Sequence, residues 1–172
     1  MKIVLCGYMG SGKSQVGRLL ASKLGLVFFD LDDQIEKNQQ KSVKKIFLEK
    51  GEIFFRKKEN EVLKELLDAP ESFILSLGGG TPCYADNLEI LKNNKEVRLI
   101  YLKVELNELT KRLFNEKEKR PLISDQESRE SLNDFIRKHL FERQYYYLQS
   151  DVVLDVSTLS IEETVNLLIK QL

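Results

Sequence analysis

Apolar and polar residues alternate along the chain with two periods, one typical of strands and one typical of helices. Five short apolar runs have the length and composition of buried strands, at residues 2–6, 26–29, 73–77, 97–102 and 152–155. Between them apolar residues recur every three or four positions, which predicts helices. The predicted helices span residues 13–24, 34–37, 43–48, 52–67, 87–94, 106–113, 128–147 and 161–172, with Gly51 ending or kinking the third. Strands that alternate with helices predict an α/β fold built on a parallel sheet.

A glycine-rich motif follows the first predicted strand. Residues 7–14 read GYMGSGKS, which matches G-x-x-x-x-G-K-[ST] in full and lies between a strand and a helix, as that motif requires. Glycines let successive backbone N–H groups turn toward phosphate oxygens, and the following helix presents its positive end to the same anion. The motif therefore predicts a nucleotide phosphate site, and the alternative of a chance glycine-rich turn is disfavoured by the two flanking elements.

Two side chains of this motif have predicted chemical roles. Lys13 is expected to reach the β- and γ-phosphates as a mobile cation. The Ser14 hydroxyl is expected to bind the Mg²⁺ that bridges those phosphates.

A cluster of acidic residues follows the second predicted strand. Asp30 and Asp32 come at the carboxyl edge of a parallel sheet, which is where ligands bind. If the chain stays extended there, alternation points both side chains the same way. The alternative is that Asp32 or Asp33 caps the short helix that comes next. The sequence leaves both uses open.

Two further segments could either serve a ligand or be an ordinary turn or surface loop. Gly78, Gly79 and Gly80 directly follow the third strand, where they form either a flexible turn or a loop whose backbone N–H groups approach a ligand. Their place at the edge of the sheet favours the ligand. Residues 115–125 are charged and have no apolar period. They are either a surface loop or a lid that excludes water during phosphoryl transfer.

Composition limits the classes of function. The 172 residues are 42% hydrophobic, and no linker-like stretch divides them, so one domain is expected. Lysine plus arginine and aspartate plus glutamate both number 27, which gives no overall field for nucleic acid or a membrane surface. No apolar run reaches membrane-spanning length and the chain enters a strand at once, so we expect a cytoplasmic protein. Cys6 and Cys83 are expected to be reduced thiols, and His139 a surface or packing residue.

Five separated blocks, in order along the chain, carry a family resemblance. They are residues 7–14; Asp30-Leu31-Asp32 with Ile35-Glu36; Gly51-Glu52 with Phe55-Arg56 and Glu59; residues 75–80; and Arg120-Pro121-Leu122 with Glu142-Arg143. Together they resemble the shikimate kinases, small P-loop enzymes similar to the nucleoside monophosphate kinases, over nearly the whole chain. Two positions depart from the family pattern. Gln15 stands where Thr or Ser is usual, and Tyr145 stands where Pro is usual.

The resemblance implies a fold and an activity. The fold would be a three-layer P-loop NTPase domain over residues 1–172, with a five-stranded parallel sheet in the order 2-3-1-4-5. The substrate-binding region would lie at about residues 32–60 and a mobile lid at about residues 115–125. The activity would be transfer of the γ-phosphoryl group of ATP, with Mg²⁺, to the 3-hydroxyl of shikimate. This is a step of chorismate and aromatic amino acid biosynthesis, and we expect a monomer with no nucleic-acid or membrane partner.

The resemblance also implies roles for individual residues. The residues expected to bind ATP are Gly10, Ser11, Gly12, Lys13, Ser14, Gln15, Arg112 and Arg120, and those expected to hold the metal are Ser14 and Asp30. The residues expected to bind shikimate are Asp32, Arg56, Gly78, Gly79, Gly80 and Arg143. Lys13, Asp32 and Arg120 would take part in catalysis. Taken alone, Arg56 belongs to a solvated charge run, but the planar fork of an arginine suits the carboxylate that Arg56 and Arg143 would clamp.

Two rival interpretations remain. Another P-loop metabolite kinase, acting on gluconate or a nucleoside monophosphate, would share the phosphate motif, and the choice of acceptor rests on Asp32, Arg56 and Arg143. A GTP-dependent switch would need N-K-x-D and D-x-x-G motifs. The sequence contains neither, since residues 94–97 read NKEV.

Overall fold

Strands alternate with helices throughout the computed structural model, which describes residues 1–116 and 121–172. The strands are β1 (Lys2–Cys6), β2 (Val27–Asp30), β3 (Phe73–Ser76), β4 (Val97–Lys103) and β5 (Val152–Asp155). The helices are α1 (Lys13–Leu24), α2 (Leu31–Gln39), α3 (Val43–Asp68), α4 (Asn87–Asn93), α5 (Leu106–Phe114), α6 (Arg129–Tyr147) and α7 (Ile161–Gln171). Single 3₁₀ turns occur at Thr81–Cys83 and Pro121–Ile123.

The strands form one parallel sheet in the order β2-β3-β1-β4-β5, which confirms the implied topology. Its register brings three strand ends together, because Ser76 of β3 pairs with both Leu5 of β1 and Asp30 of β2. The loops after these strands therefore start side by side at one edge of the sheet. Ligands bind at this edge in parallel α/β folds.

The central strand shows why the fold has three layers. Ile3, Val4 and Leu5 of β1 are all fully buried. Successive side chains of a strand point to opposite faces, so both faces of the sheet must be covered. Helices provide this cover, with α1 packed on α7 and α5 packed on α6.

The join between β2 and α2 differs from the prediction. Helix α2 begins at Leu31, so the chain is not extended from Asp30 to Asp32, and the condition under which alternation would align these two side chains is not met. The predicted cap was wrong, because Asp30 takes this role. Asp30 has extended backbone angles, and its carboxylate accepts a hydrogen bond from the Asp32 N–H at 3.2 Å. The first N–H groups of a helix lack partners within it, and the last extended residue is the one placed to supply an acceptor.

Helix α3 is bent at Gly51, as the sequence predicted. Gly51 has φ 79° and ψ 174°, which divides the helix into two segments. The first segment carries Val43 and Phe47, and the second carries Phe55 and Arg56. The bend lets both segments contribute to one cavity.

The expected lid falls partly outside the described residues, because residues 117–120 are not among them. On the described side, Leu122 is 65% exposed while the neighbouring Ile123 is fully buried. Among the helices of the described ranges, none has the length and apolar content needed to cross a membrane.

Candidate active site

The phosphate motif forms the loop between β1 and α1. Gly7, Gly10 and Gly12 all have positive φ, at 140°, 81° and 89°, where residues with a Cβ are strained. A Cβ on Gly7 would also lie 2.8 Å from the Leu102 carbonyl oxygen. The buried Lys13 bends back over this loop, and its Nζ donates to the carbonyl oxygens of Gly7 at 2.8 Å and Tyr8 at 3.0 Å. The loop thus holds its lysine in a fixed position.

Ser14 and Asp30 come from neighbouring strand ends and contact each other. The Ser14 hydroxyl donates to Asp30 Oδ2 at 2.8 Å and lies 3.4 Å from the Ser76 hydroxyl. Within residues 1–116 and 121–172, no group of three or more His, Cys, Asp or Glu side chains is arranged to hold a metal ion. Mg²⁺ in phosphotransferases is typically held by one or two protein oxygens together with substrate phosphates and water. An oxygen pair such as Ser14 and Asp30 suits this kind of site.

A cavity of about 670 Å³ opens above the phosphate loop. The predicted nucleotide residues that line it are Gly10, Gly12, Lys13, Ser14, Gln15 and Arg112. Arg112 reaches the loop from α5, where its Nε donates to Glu108 at 2.8 Å and its Nη1 lies 3.4 Å from the Gly10 carbonyl oxygen. Ser11 is buried instead, and its hydroxyl has no hydrogen-bond partner among the described residues.

A second cavity, of about 310 Å³, adjoins the first. The predicted acceptor residues all line it: Asp32, Arg56, Gly78, Gly79, Gly80 and Arg143. One wall is apolar and consists of Val43, Phe47 and Phe55, with the rings of Phe47 and Phe55 4.6 Å apart. Met9, Asp32, Gly78 and Gly79 line both cavities. The two spaces therefore share a boundary, and Asp32 is the acidic residue on it.

Arg56 is held by a buried carboxylate, Glu59, which the sequence analysis named in a family block without giving it a role. Its Nη1 lies 3.0 and 3.2 Å from the two carboxylate oxygens of Glu59, whose side chain is fully buried. Thr81 also donates to Glu59, at 2.8 Å. The guanidinium lies 3.9 Å from the centre of the Tyr84 ring. Burial acts to lower the pKa of Arg56, but Glu59, with smaller contributions from Tyr84 and Glu52, raises that pKa above its usual value.

The three-residue spacing of Arg56 and Glu59 was the sequence signal that could have predicted this ion pair. Residues three apart on a helix face each other, so an arginine and a glutamate at that spacing can form an ion pair. The burial of Glu59 depends on tertiary packing, which the local sequence does not reveal.

Asp32 has an unusual electrostatic environment. Its burial, with smaller contributions from the negative charges of Asp30 and Glu59, raises the pKa of Asp32 to about 6. The positive charges of Lys13 and Arg56 act in the opposite direction. A carboxylate with this pKa can exchange a proton near neutral pH.

The glycine loop after β3 packs closely against the side chains of the site. A Cβ on Gly78 would lie 3.2 Å from Asp32 Oδ1, and a Cβ on Gly80 would lie 2.9 Å from Arg56 Nη2. A Cβ on Gly79 would lie 3.4 Å from the Met9 amide nitrogen. Side chains at these positions would displace the groups around them. The loop is therefore glycine-rich because the backbone runs directly beside the site.

Arg143 reaches the acceptor cavity from α6, with its guanidinium 5.9 Å from the centre of the Tyr8 ring. Helix α6 runs without interruption through Tyr145, which is 69% exposed, so a tyrosine fits where the family usually has proline. His139 packs on the Phe135 ring and lies 3.3 Å from the Tyr8 hydroxyl, which is consistent with the packing role predicted for it. The prediction for Arg120 lies outside the described residues.

A family model described as shikimate kinase matches residues 9–172. The chain belongs to the shikimate kinase family. A shikimate kinase of Flavobacterium psychrophilum is 51% identical over 146 residues, which cover 85% of this chain and 84% of that one.

Solved shikimate kinases also share the whole fold. The crystal structure of the enzyme from Bacteroides thetaiotaomicron matches with a TM-score of 0.90 and 33% identity, over 99% of this chain and 97% of that one. The shikimate kinase of Acinetobacter baumannii, solved in complex with shikimate, matches with a TM-score of 0.82 and 28% identity, over 99% and 91%.

Proposed function

We propose that this chain transfers the γ-phosphoryl group of ATP to the 3-hydroxyl of shikimate, forming shikimate 3-phosphate and ADP. The observation that carries this proposal is the pair of adjoining cavities, one on the phosphate loop and one lined by two arginines, which share Asp32 at their boundary. Family membership favours shikimate as the acceptor. The product would continue toward chorismate and the aromatic amino acids.

On the nucleotide side, the phosphate loop binds the ATP phosphates through its backbone N–H groups and through Lys13. The Ser11 hydroxyl is buried outside the lining of this cavity and has no hydrogen-bond partner among the described residues. Arg112 and Gln15 also line this cavity, and we expect both to contact the nucleotide. Ser14 and Asp30 would hold Mg²⁺, which neutralises charge on the phosphates when it is bound.

On the acceptor side, Arg56 and Arg143 bind the carboxylate of shikimate, since a guanidinium can donate two parallel hydrogen bonds to it. The apolar wall formed by Val43, Phe47 and Phe55 packs against the carbon ring of the substrate. The close backbone of the glycine loop completes the cavity. These contacts place the substrate with its hydroxyl at the boundary between the two cavities.

Asp32 orients the attacking hydroxyl and accepts its proton. The hydroxyl oxygen bonds to the γ-phosphorus as the bond from that phosphorus to the β–γ bridging oxygen breaks, and the proton passes to the Asp32 carboxylate. Lys13 offsets the charge that develops on the phosphate oxygens. Arg120, at the predicted lid, is proposed to add to this stabilisation when residues 115–125 close over the site.

The deciding experiment incubates the protein with Mg-ATP and, separately, with shikimate, gluconate and AMP, and then identifies the phosphorylated product. We expect phosphoryl transfer to shikimate, at C3 by phosphorus-coupled NMR, with little transfer to the other two. Preferential phosphorylation of gluconate or AMP would assign the chain to another metabolite kinase. Phosphorylation of shikimate at another hydroxyl would overturn the proposed orientation alone.

The state and location of the protein are part of the proposal. One chain lines both cavities, so the reaction needs no residue from a partner and a monomer is sufficient. Sedimentation at the concentration used for kinetics tests this, and a stable dimer would contradict it. The cytoplasm supplies the ATP that the reaction consumes, and we place the activity there.

A further inference from the structure

Tyr147 is a buried residue with a direct contact to the site. It lies at the end of α6 with a fully buried side chain. Its ring packs on the ring of Tyr101, with 5.0 Å between the ring centres. Its hydroxyl donates a hydrogen bond to the carbonyl oxygen of Gly79. Gly79 lines both cavities, so this hydrogen bond links the buried Tyr147 side chain to a loop that borders both of them.

This hydrogen bond determines which way one peptide group faces. The peptide bond between Gly79 and Gly80 is trans, and in a trans peptide the carbonyl oxygen and the following N–H point in opposite directions. Because Tyr147 holds the Gly79 carbonyl on the α6 side, the Gly80 N–H must point away from Tyr147. Gly80 is a buried residue that lines the acceptor cavity. Rotation of this peptide would change the donors and acceptors that line the cavity.

The same helix also carries Arg143, one turn before Tyr147. A Cβ on Gly79 would lie 3.8 Å from Arg143 Nη1, so the loop and the guanidinium are close neighbours. The hydroxyl of Tyr147 and the guanidinium of Arg143 both belong to α6, and both lie at the loop that contains Gly79. Burial raises the pKa of Tyr147 well above its usual value, so its hydroxyl keeps its proton and remains a donor at neutral pH.

We propose that Tyr147 is a positioning residue for the acceptor site: its hydroxyl holds the Gly79–Gly80 peptide in the orientation that binds the acceptor and aligns this loop with Arg143. It acts through Gly79 and Arg143 and does not itself touch the substrate. The identity of the acceptor as shikimate rests on the proposed function, whereas the contact between Tyr147 and Gly79 does not.

Tyr147→Phe tests the proposal because it removes the hydroxyl and keeps the ring in the stack. We expect the Kd and KM for shikimate to rise about five- to tenfold, the effect of losing one neutral hydrogen bond. The KM for ATP should stay near the wild-type value. The matched control is Tyr101→Phe, which removes a hydroxyl from the other ring of the same stack and leaves Gly79 untouched. This control should bind both substrates as the wild type does.

A merely structural tyrosine would give a different pattern. Unchanged shikimate binding in Tyr147→Phe, or equal weakening of ATP and shikimate binding, would overturn the proposal. A readout that needs no substrate is the amide NMR signals of Gly79 and Gly80, which should shift in Tyr147→Phe and not in Tyr101→Phe. If the wild type does not phosphorylate shikimate, the proposed function fails, and these amide signals still decide the role of Tyr147.

Discussion

Asp32, the proposed proton acceptor, lies at the boundary between the two cavities. Its burial and two neighbouring carboxylates raise its pKa to about 6, as described above. A general base is most effective when its pKa lies near the pH at which the enzyme works. The side chain that borders both cavities therefore has the protonation behaviour expected of the proton acceptor in the proposed reaction.

Asp32→Asn should reduce kcat by about 10²-fold or more, because it removes both the charge and the proton acceptor. ATP affinity should change little. In the wild type, kcat/KM should fall as the pH drops through about 6, since protonated Asp32 cannot accept a proton. This acid limb should be absent from the residual activity of the variant. A pH profile of kcat/KM for both proteins checks this, and near-normal turnover in the variant would remove Asp32 from the mechanism.

The stability of the same variant has a predicted dependence on pH. A carboxylate whose pKa is raised on folding favours the folded state when it is protonated, and this contribution disappears as the pH rises through the folded pKa of about 6. Asp32→Asn should therefore melt at the same or a higher temperature than the wild type above pH 6. A lower melting temperature at pH 8 would mean that ionised Asp32 stabilises the fold.

Arg56 should serve the acceptor, and its geometry makes lysine a poor substitute. The guanidinium pairs with Glu59 while its Cζ lies 3.9 Å from the centre of the Tyr84 ring, and a lysine ammonium lacks the planar fork of this group. Arg56→Lys should raise the KM for shikimate about tenfold or more, with little change in the KM for ATP. The matched variant is Arg112→Lys on the nucleotide side, which should give the opposite pattern. Weaker ATP binding in Arg56→Lys would place Arg56 at the nucleotide.

At the scale of one element, α3 depends on a single glycine for its shape. Gly51 joins the segment that carries Phe47 to the segment that carries Phe55, and these rings lie together on the acceptor cavity. Its φ of 79° with ψ of 174° is a conformation open essentially to glycine alone. The cavity wall therefore depends on a backbone position far from the reacting atoms.

Gly51→Ala should destabilise the protein by about 1–3 kcal/mol and raise the KM for shikimate, because the bend must change or be strained. Space does not limit this substitution, since a Cβ at Gly51 meets nothing within 4 Å. Gly25→Ala is the matched control. Gly25 is equally open but lies in the left-handed helical region, where alanine costs only about 1–2 kcal/mol. Chemical denaturation and kinetics compare the two, and an unchanged shikimate KM in Gly51→Ala would separate the bend from binding.

For the molecule as a whole, described residues at the two ends of the predicted lid lie at the two cavities. Glu116, just before residues 117–120, lines the nucleotide cavity, and Leu122, just after them, lines the acceptor cavity. A segment that joins these two positions connects both substrate sites. Its closure is therefore expected to respond to both substrates together.

Limited proteolysis can test this expectation. Trypsin cleavage after Lys117 and Lys119 should be slowest when a non-hydrolysable ATP analogue and shikimate are both bound, because a closed lid is protected. Gluconate in place of shikimate is the matched control and should protect less. Equal cleavage with and without the two ligands would argue against closure of residues 115–125.

Much of this molecule follows from local sequence signals. The strand, loop and helix around Lys13 are predictable because a phosphate loop needs glycines at fixed spacing and a helix directly behind them. The bend at Gly51 and the sheet of alternating elements are predictable for the same reason, since each depends on residues close together in sequence. The order of the strands came from the resemblance of several blocks, and the structure confirmed it. The same resemblance implied the acceptor, which is part of the proposed function.

Other features were decided only by tertiary structure, because they depend on which residues meet across the fold. The helix cap is Asp30 and not Asp32 or Asp33, since the strand ends one residue later and the helix begins earlier than the apolar pattern indicated. Arg56 is not a solvated residue of a charge run, because it pairs with the buried Glu59. The pKa of Asp32 is raised by its own burial and, to a smaller extent, by Asp30 and by that same Glu59 carboxylate. The contact between Tyr147 and Gly79 joins residues 68 positions apart. Sequence periodicity marks which side chains are buried, whereas the partners that they meet are determined by how the elements pack.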